Sequence, residues 1–212
     1  DELDYLKAEL QNVIERVHEE TKAPIRTSVN FYRDEGDEYE VKYYDFRDDA
    51  AEVDKLLEDE HAAGGGDYPE AVHTALDNAL NQHNWEESST VKLMFFVLDA
   101  PPHEEVAEKI QQYTVQAAQM GVRIIPVVAS GADDMTQQLM RIMSIMTGGT
   151  YLFLDDNSGV GDSHEIPKDV NDYKSEHLND MLIRVIGEYC GKEISQVEIE
   201  KPTEEQTTTY TQ

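Results

Sequence analysis

Val91–His103 reads VKLMFFVLDAPPH. Seven of its first eight residues are apolar, with only Lys92 intervening. Such a run is too short to span a membrane and too continuous for a strand with one wet face, so it predicts a central strand buried on both sides. Asp99 ends the run, and Ala100-Pro101-Pro102 cannot extend a ladder. A carboxylate at that point lies at the carboxyl edge of a parallel sheet, where open α/β sheets place their ligands. Asp99 is therefore a candidate metal or phosphate residue; the plainer alternative is an aspartate that turns the chain.

Working outward, Asp1–Glu20 carries Leu3, Leu6, Leu10, Val13, Ile14 and Val17 at spacings of three and four, an amphipathic helix with no strand before it. Ile25–Tyr32 and Tyr39–Phe46 alternate as two strands joined by Arg33-Asp34-Glu35-Gly36-Asp37, an edge hairpin. A short helix over Asp48–Glu60 leads to the glycine-rich loop Gly64-Gly65-Gly66-Asp67-Tyr68 and a helix from Pro69 to about Gln82. With Pro69 in its first turn, Asp67 stands near the cap position. The loop lacks both the Lys-Ser/Thr pair of a P-loop and GxGxxG spacing, and an aspartate there would repel a phosphate, so it suits a cation.

After the central strand, the pattern predicts a helix over Glu104–Met120 closed by Gly121, and a second buried strand over Val122–Ala129. A methionine-rich helix over Met135–Met146 follows, its methionines read as core filler. A last strand over Thr150–Leu154, an acidic loop and a helix over Ser175–Cys190 complete the order. This alternation specifies a three-layer α/β fold, a mostly parallel open sheet with helices on both faces and one antiparallel edge hairpin. It gathers Asp34, Glu35, Asp37, Asp67, Asp99, Asp133, Asp134, Asp155 and Asp156 on one rim, where they repel one another unless a cation or water intervenes. Residues 1–190 read as the domain. Residues 191–212 read as an acidic, threonine-rich tail or linker, with nothing to bury from Pro202 to Gln212.

The 212 residues carry 17 Lys+Arg against 45 Asp+Glu, a net charge of −28. That balance disfavours nucleic acid and anionic membranes, and fits divalent cations, basic partners or plain solubility. No stretch is apolar for long enough to span a bilayer, and the first residues read as an acidic helix rather than a signal peptide. The single cysteine, Cys190, excludes an internal disulfide, which leaves exported and cytoplasmic locations both open.

The motifs, in this order, resemble a von Willebrand factor A domain of a bacterial type: DELDYLKAEL from Asp1, FYRDEGDEY at Phe31–Tyr39, GGGDYPEAV at Gly64–Val72, VLDAPPH at Val97–His103, GVRIIPV at Gly121–Val127 and TGGTYLFL at Thr147–Leu154. The resemblance covers about Asp1–Cys190. It implies a first strand ending in a DxTGSM motif immediately before Asp1, so the chain is expected to be a fragment whose sheet lacks its central strand.

It also implies a metal-ion-dependent adhesion site, in which Mg²⁺ or Mn²⁺ on the top loops captures a carboxylate of a partner protein. Asp99 would then be a ligand, with Asp67 as candidate for the middle loop and Tyr68, His103, Asp34, Asp133 and Asp155 around the rim. With the DxTGSM ligands missing, the chain is expected to hold the ion weakly or not at all. The alternative is a metal-assisted hydrolase using Asp99 with His103 or His164 as base. Against it, His18, His61, His73, His83, His103, His164 and His177 form no HxH or HxxxH pair.

Overall fold

The computed structural model describes residues 2–58, 60–61, 69–129, 132–154, 175–197 and 199. In chain order these form α1 (Glu2–Thr21), β1 (Thr27–Tyr32), β2 (Val41–Arg47), α2 (Ala50–Leu57), α3 (Val72–Asn81), β3 (Lys92–Leu98), α4 (Ala107–Met120), β4 (Val122–Val128), α5 (Asp134–Thr147), β5 (Leu152–Phe153) and α6 (Leu178–Tyr189).

β3 pairs parallel with β4 along its whole length, from Lys92 opposite Val122 to Leu98 opposite Val128. β4 pairs parallel with β5 through Val127–Leu152 and Val128–Phe153. Alternate residues of these strands feed opposite cores, as the period of two requires. Met94, Phe96, Leu98 and Ile124 pack with Leu76, Ile110 and Met140 beneath α3, α4 and α5. Ile125, Val127 and Leu152 pack with Val13, Val17, Leu182 and Val185 beneath α1 and α6. The continuous apolar run of the central strand is thus explained by two helical layers. Arg16 and Asp180 form an ion pair at 3.0 Å, and Asn179 donates to Glu9 at 2.7 Å, tying α1 to α6.

The hairpin β1–β2 is antiparallel, with Tyr32 opposite Val41 and Thr27 opposite Arg47. Among the described residues it forms no ladder with the three-stranded sheet. Hairpin and three-stranded sheet are thus separate ladders among the described residues. A partly buried polar network ties the hairpin to α3 and the residues that follow it. Asn30 donates to Asn78 at 3.0 Å and stands 2.5 Å from the His83 Nε2, while Asp45 accepts from the Asn84 amide at 3.0 Å. Phe46 meets Trp85 edge-on at 4.9 Å.

Burial lowers the pKa of His83 against the opposing pull of Asp45. A histidine whose folded pKa lies below its unfolded value binds its proton more readily when unfolded, so it withdraws stability as pH falls from 7 through the folded value. Urea unfolding at pH 7 and pH 5 should show the native protein losing more stability on acidification than the His83→Gln variant does. Equal losses would mean that His83 titrates normally.

Several boundaries differ from the sequence reading. Residues 69–71 are not helical: the Glu70 amide donates to Pro101 O at 2.9 Å, and Glu70 bridges Pro102 as an isolated parallel pair. That pairing demands extended backbone, so α3 starts at Val72, capped by Ala71 without a side-chain bond. α4 is preceded by a 3₁₀ turn over Glu104–Val106, and Gly121 ends it at φ 71°, in the left-handed region that glycine occupies freely. The last strand shrinks to Leu152–Phe153. On α5, Met140 and Met143 are buried, but Met135 and Met146 are exposed with Ile142 and Ile145. These lie on the helix face turned away from the sheet, so half of that methionine set is surface rather than filler. Past α6, Ile194 still packs against the α1–α6 core. The tail reading for 202–212 and the acidic loop after Leu154 lie outside the described residues.

Candidate functional site

Three segments meet at the carboxyl end of β3: the turn after β1, the residues entering α3, and the Asp99–His103 exit. The turn is pinned by the Arg33 amide donating to Glu40 O at 3.0 Å, with the Arg33 guanidinium over the Tyr39 ring at 4.2 Å. This directs Asp34 inward, where it is buried and accepts from His103 Nε2 at 2.6 Å. The bond to Asp34 raises the pKa of His103 despite partial burial. Two prolines before His103 and the Glu70 bridge to Pro102 hold this exit segment rigid.

Asp99 is exposed at the strand end, while Ala100 beside it is buried. Burial, together with the charges of Asp34, Asp99 and Asp37, raises the Glu70 carboxyl to about 7, and His103 offsets only part of this. The Tyr32 hydroxyl, raised by burial and then by Asp99 and Glu70, donates to Val97 O at 3.3 Å and forms the inner wall. His73 follows on α3, with Nε2 3.6 Å from Glu35; burial lowers its pKa.

The structure therefore joins His103 to Asp34, with Asp99 near enough for its charge to act on Glu70 and Tyr32. Asp133 caps α5, accepting from the Thr136 amide at 2.7 Å and its hydroxyl at 2.6 Å, and these bonds lower its pKa. Asp67, Tyr68, Asp155, Asp156 and His164 lie outside the described residues. Sequence reasoning missed Glu70 and Tyr32. Glu70 stood inside the quoted GGGDYPEAV motif, but placing Pro69 in a helical turn directed it elsewhere. Tyr32 read as an ordinary strand residue.

The model of the von Willebrand factor type A domain matches residues 1–165. The chain belongs to that family. No curated protein matches it. Domains of this family are generally protein-interaction or adhesion modules with a metal-dependent site, and the rim of this A domain lies at the sheet end where such a site belongs. Its donors are carboxylate oxygens, the set that suits Mg²⁺ or Mn²⁺. The gathering of Asp34, Asp37 and Asp99 about Glu70 favours the fit, since their charges add to burial in raising its pKa and a cation would offset them. Among the described residues, however, no three His, Cys, Asp or Glu side chains are grouped to hold a metal ion. No helix among the described residues is long and apolar enough to cross a membrane.

Proposed function

We propose that the rim around Asp99 holds a divalent cation, Mg²⁺ or Mn²⁺, through Asp99 and Asp67, and that the ion captures a carboxylate of a partner protein. Tyr68, His103, Asp34, Asp133 and Asp155 surround it in this reading. The observation that carries it is the meeting of Glu70, Asp34, Asp37 and Asp99 at the mouth of β3, where burial first and then those three charges raise the Glu70 carboxyl to about 7. A bound cation supplies positive charge with an open position for a foreign oxygen. The residues of this chain orient that position: Asp34 fixes His103, and the Glu70–Pro102 bridge fixes the segment that carries Asp99. Binding to this chain is weak in this reading, because among the described residues no three carboxylate or imidazole side chains are grouped to hold an ion.

Mn²⁺ titration followed by amide line broadening tests the assignment. Broadening should centre on the Glu70, Asp99, Ala100 and His103 amides and weaken in Asp99→Asn. Tight one-to-one binding by calorimetry would contradict the weak-site reading, and broadening centred away from the β3 exit would contradict the location.

Glu70 gives an independent check without metal. Its folded pKa exceeds the ordinary 4.5, so its ionisation withdraws stability as pH rises from 4.5 through about 7. Glu70→Gln should therefore stabilise the metal-free protein at pH 8 by about 1 kcal/mol, after allowance for solvent screening. It should do little at pH 4, and saturating Mg²⁺ should shrink the gain. A gain equal at both pH values would remove the electrostatic argument.

A further inference from the structure

Of the 45 acidic residues, only Asp133 and Asp134 fall between Lys109 and Leu154, where Lys109, Arg123 and Arg141 offset them. The net charge of −28 therefore lies wholly outside this stretch. The stretch folds as α4, β4, α5 and β5, and with β4 buried its surface is chiefly that of the two helices. α5 turns Met140 and Met143 to the core it shares with β4 and α4. Its opposite side presents Met135 and Ile145, each 76% exposed, with Ile142 at 52% and Met146 at 44%. Met135, Gln138, Ile142 and Ile145 recur at steps of three and four, so they form one stripe with the seam spacing of a helix that packs on another helix. Asp134 and Arg141, seven residues apart, line one flank of it. Single apolar side chains are ordinary on a surface. Four on one helix face, in the part of the chain from which carboxylates are nearly missing, mark an interaction surface.

We propose that this face of α5 binds a second copy of the chain, as a twofold pair of antiparallel α5 helices. The charge distribution selects the occupant. Two chains of net charge −28 repel wherever their acidic surfaces meet, and α4 and α5 form the face on which they approach with fewest opposing carboxylates. A basic partner would instead be drawn to the acidic remainder. The stripe is also self-complementary. A twofold axis across its middle sets Met135 against Ile145 of the copy and Gln138 against Ile142, and brings Arg141 to the side of the copy's Asp134. A helix of 14 residues is about 21 Å long, so the contact is small and the dimer weak.

Sedimentation equilibrium of the whole chain, in EDTA so that no ion occupies the rim, should show monomer passing to dimer as concentration rises toward about 1 mM. Added salt should strengthen the dimer, because it screens the repulsion between the acidic surfaces and leaves the apolar stripe unaffected. In the same concentration series, NMR of isotope-labelled methionine methyls should show the Met135 and Met146 signals moving, while Met140 and Met143, buried on the same helix, stay in place. Ile142→Glu and Ile145→Glu set like charges in the seam and should each weaken pairing about tenfold or more. Both side chains are exposed in the single chain, so the urea midpoint of the dilute variants should not change. The proposal is overturned by a chain that stays monomeric throughout, which would leave the face to a different protein. It is overturned equally by a dimer that salt dissociates, by one whose formation leaves Met135 and Met146 unmoved, or by one that both glutamate variants keep. Because no metal is present, failure here leaves the cation reading of the rim untouched.

Discussion

Gly149→Ala should cost about 3 kcal/mol or more and leave a chain that is largely unfolded at 37 °C. A Cβ at that position would lie 1.9 Å from Ile124 O and 2.8 Å from Ile124 C, and backbone in the middle layer of a fold cannot step aside. The turn is held from both ends. The Gly149 amide donates to Ser144 O at 2.7 Å, and the Ile124 amide donates to Thr147 Oγ1 at 2.9 Å, so neither partner can drift. Gly148 next to it supplies the contrast. It has φ 66° and its Cβ would meet the far end of the Arg123 side chain, so Gly148→Ala should cost about 1 kcal/mol, mostly in backbone strain. Urea unfolding of the two variants measures both. Similar costs would show that the close approach of Gly149 to β4 is not what the TGGT sequence serves.

The second large effect lies on β4. Ile124 and Ile125 are consecutive and both fully buried, one in the core under α3–α5 and the other in the core under α1 and α6. Truncating either to alanine should cost about 3 kcal/mol, through lost transfer free energy and the cavity left behind. A strand wet on one face would show one costly and one nearly silent substitution at adjacent positions. Equal penalties, measured as shifts in urea midpoint at unchanged slope, are the energetic signature of helices on both faces.

Why this layering was legible from sequence is clear at β3 and β4, where unbroken apolar runs leave no wet face to argue about. The hairpin was legible as well, because Arg33-Asp34-Glu35-Gly36-Asp37 separates two alternating segments. Local pattern could not say that Pro69 would stay outside α3. That outcome depends on a long-range bond from the Glu70 amide to Pro101, and nothing in a window of nine residues encodes it. The same holds for Glu70 and Tyr32 at the rim: each looks ordinary until the β3 exit is beside it. Asp133 was legible as an acidic loop residue, but its capping bonds to Thr136 are set by where α5 starts. The exposed face of α5 was misread because apolar periodicity marks a stripe without saying how wide the covered part is.

One consequence of the α1–α6 layer concerns the order of assembly. The Arg16–Asp180 and Glu9–Asn179 contacts join residues 164 and 170 positions apart, whereas everything from α3 to α5 is closed by connections of ordinary length. Closing so long a stretch of chain is entropically the most demanding step and returns few contacts until both helices are in place. The segment from Val72 to Thr147 can therefore collapse first as a half-built core. α1 and α6 then settle onto its bare side together, and the same two helices form the latch most readily released without unravelling the remainder.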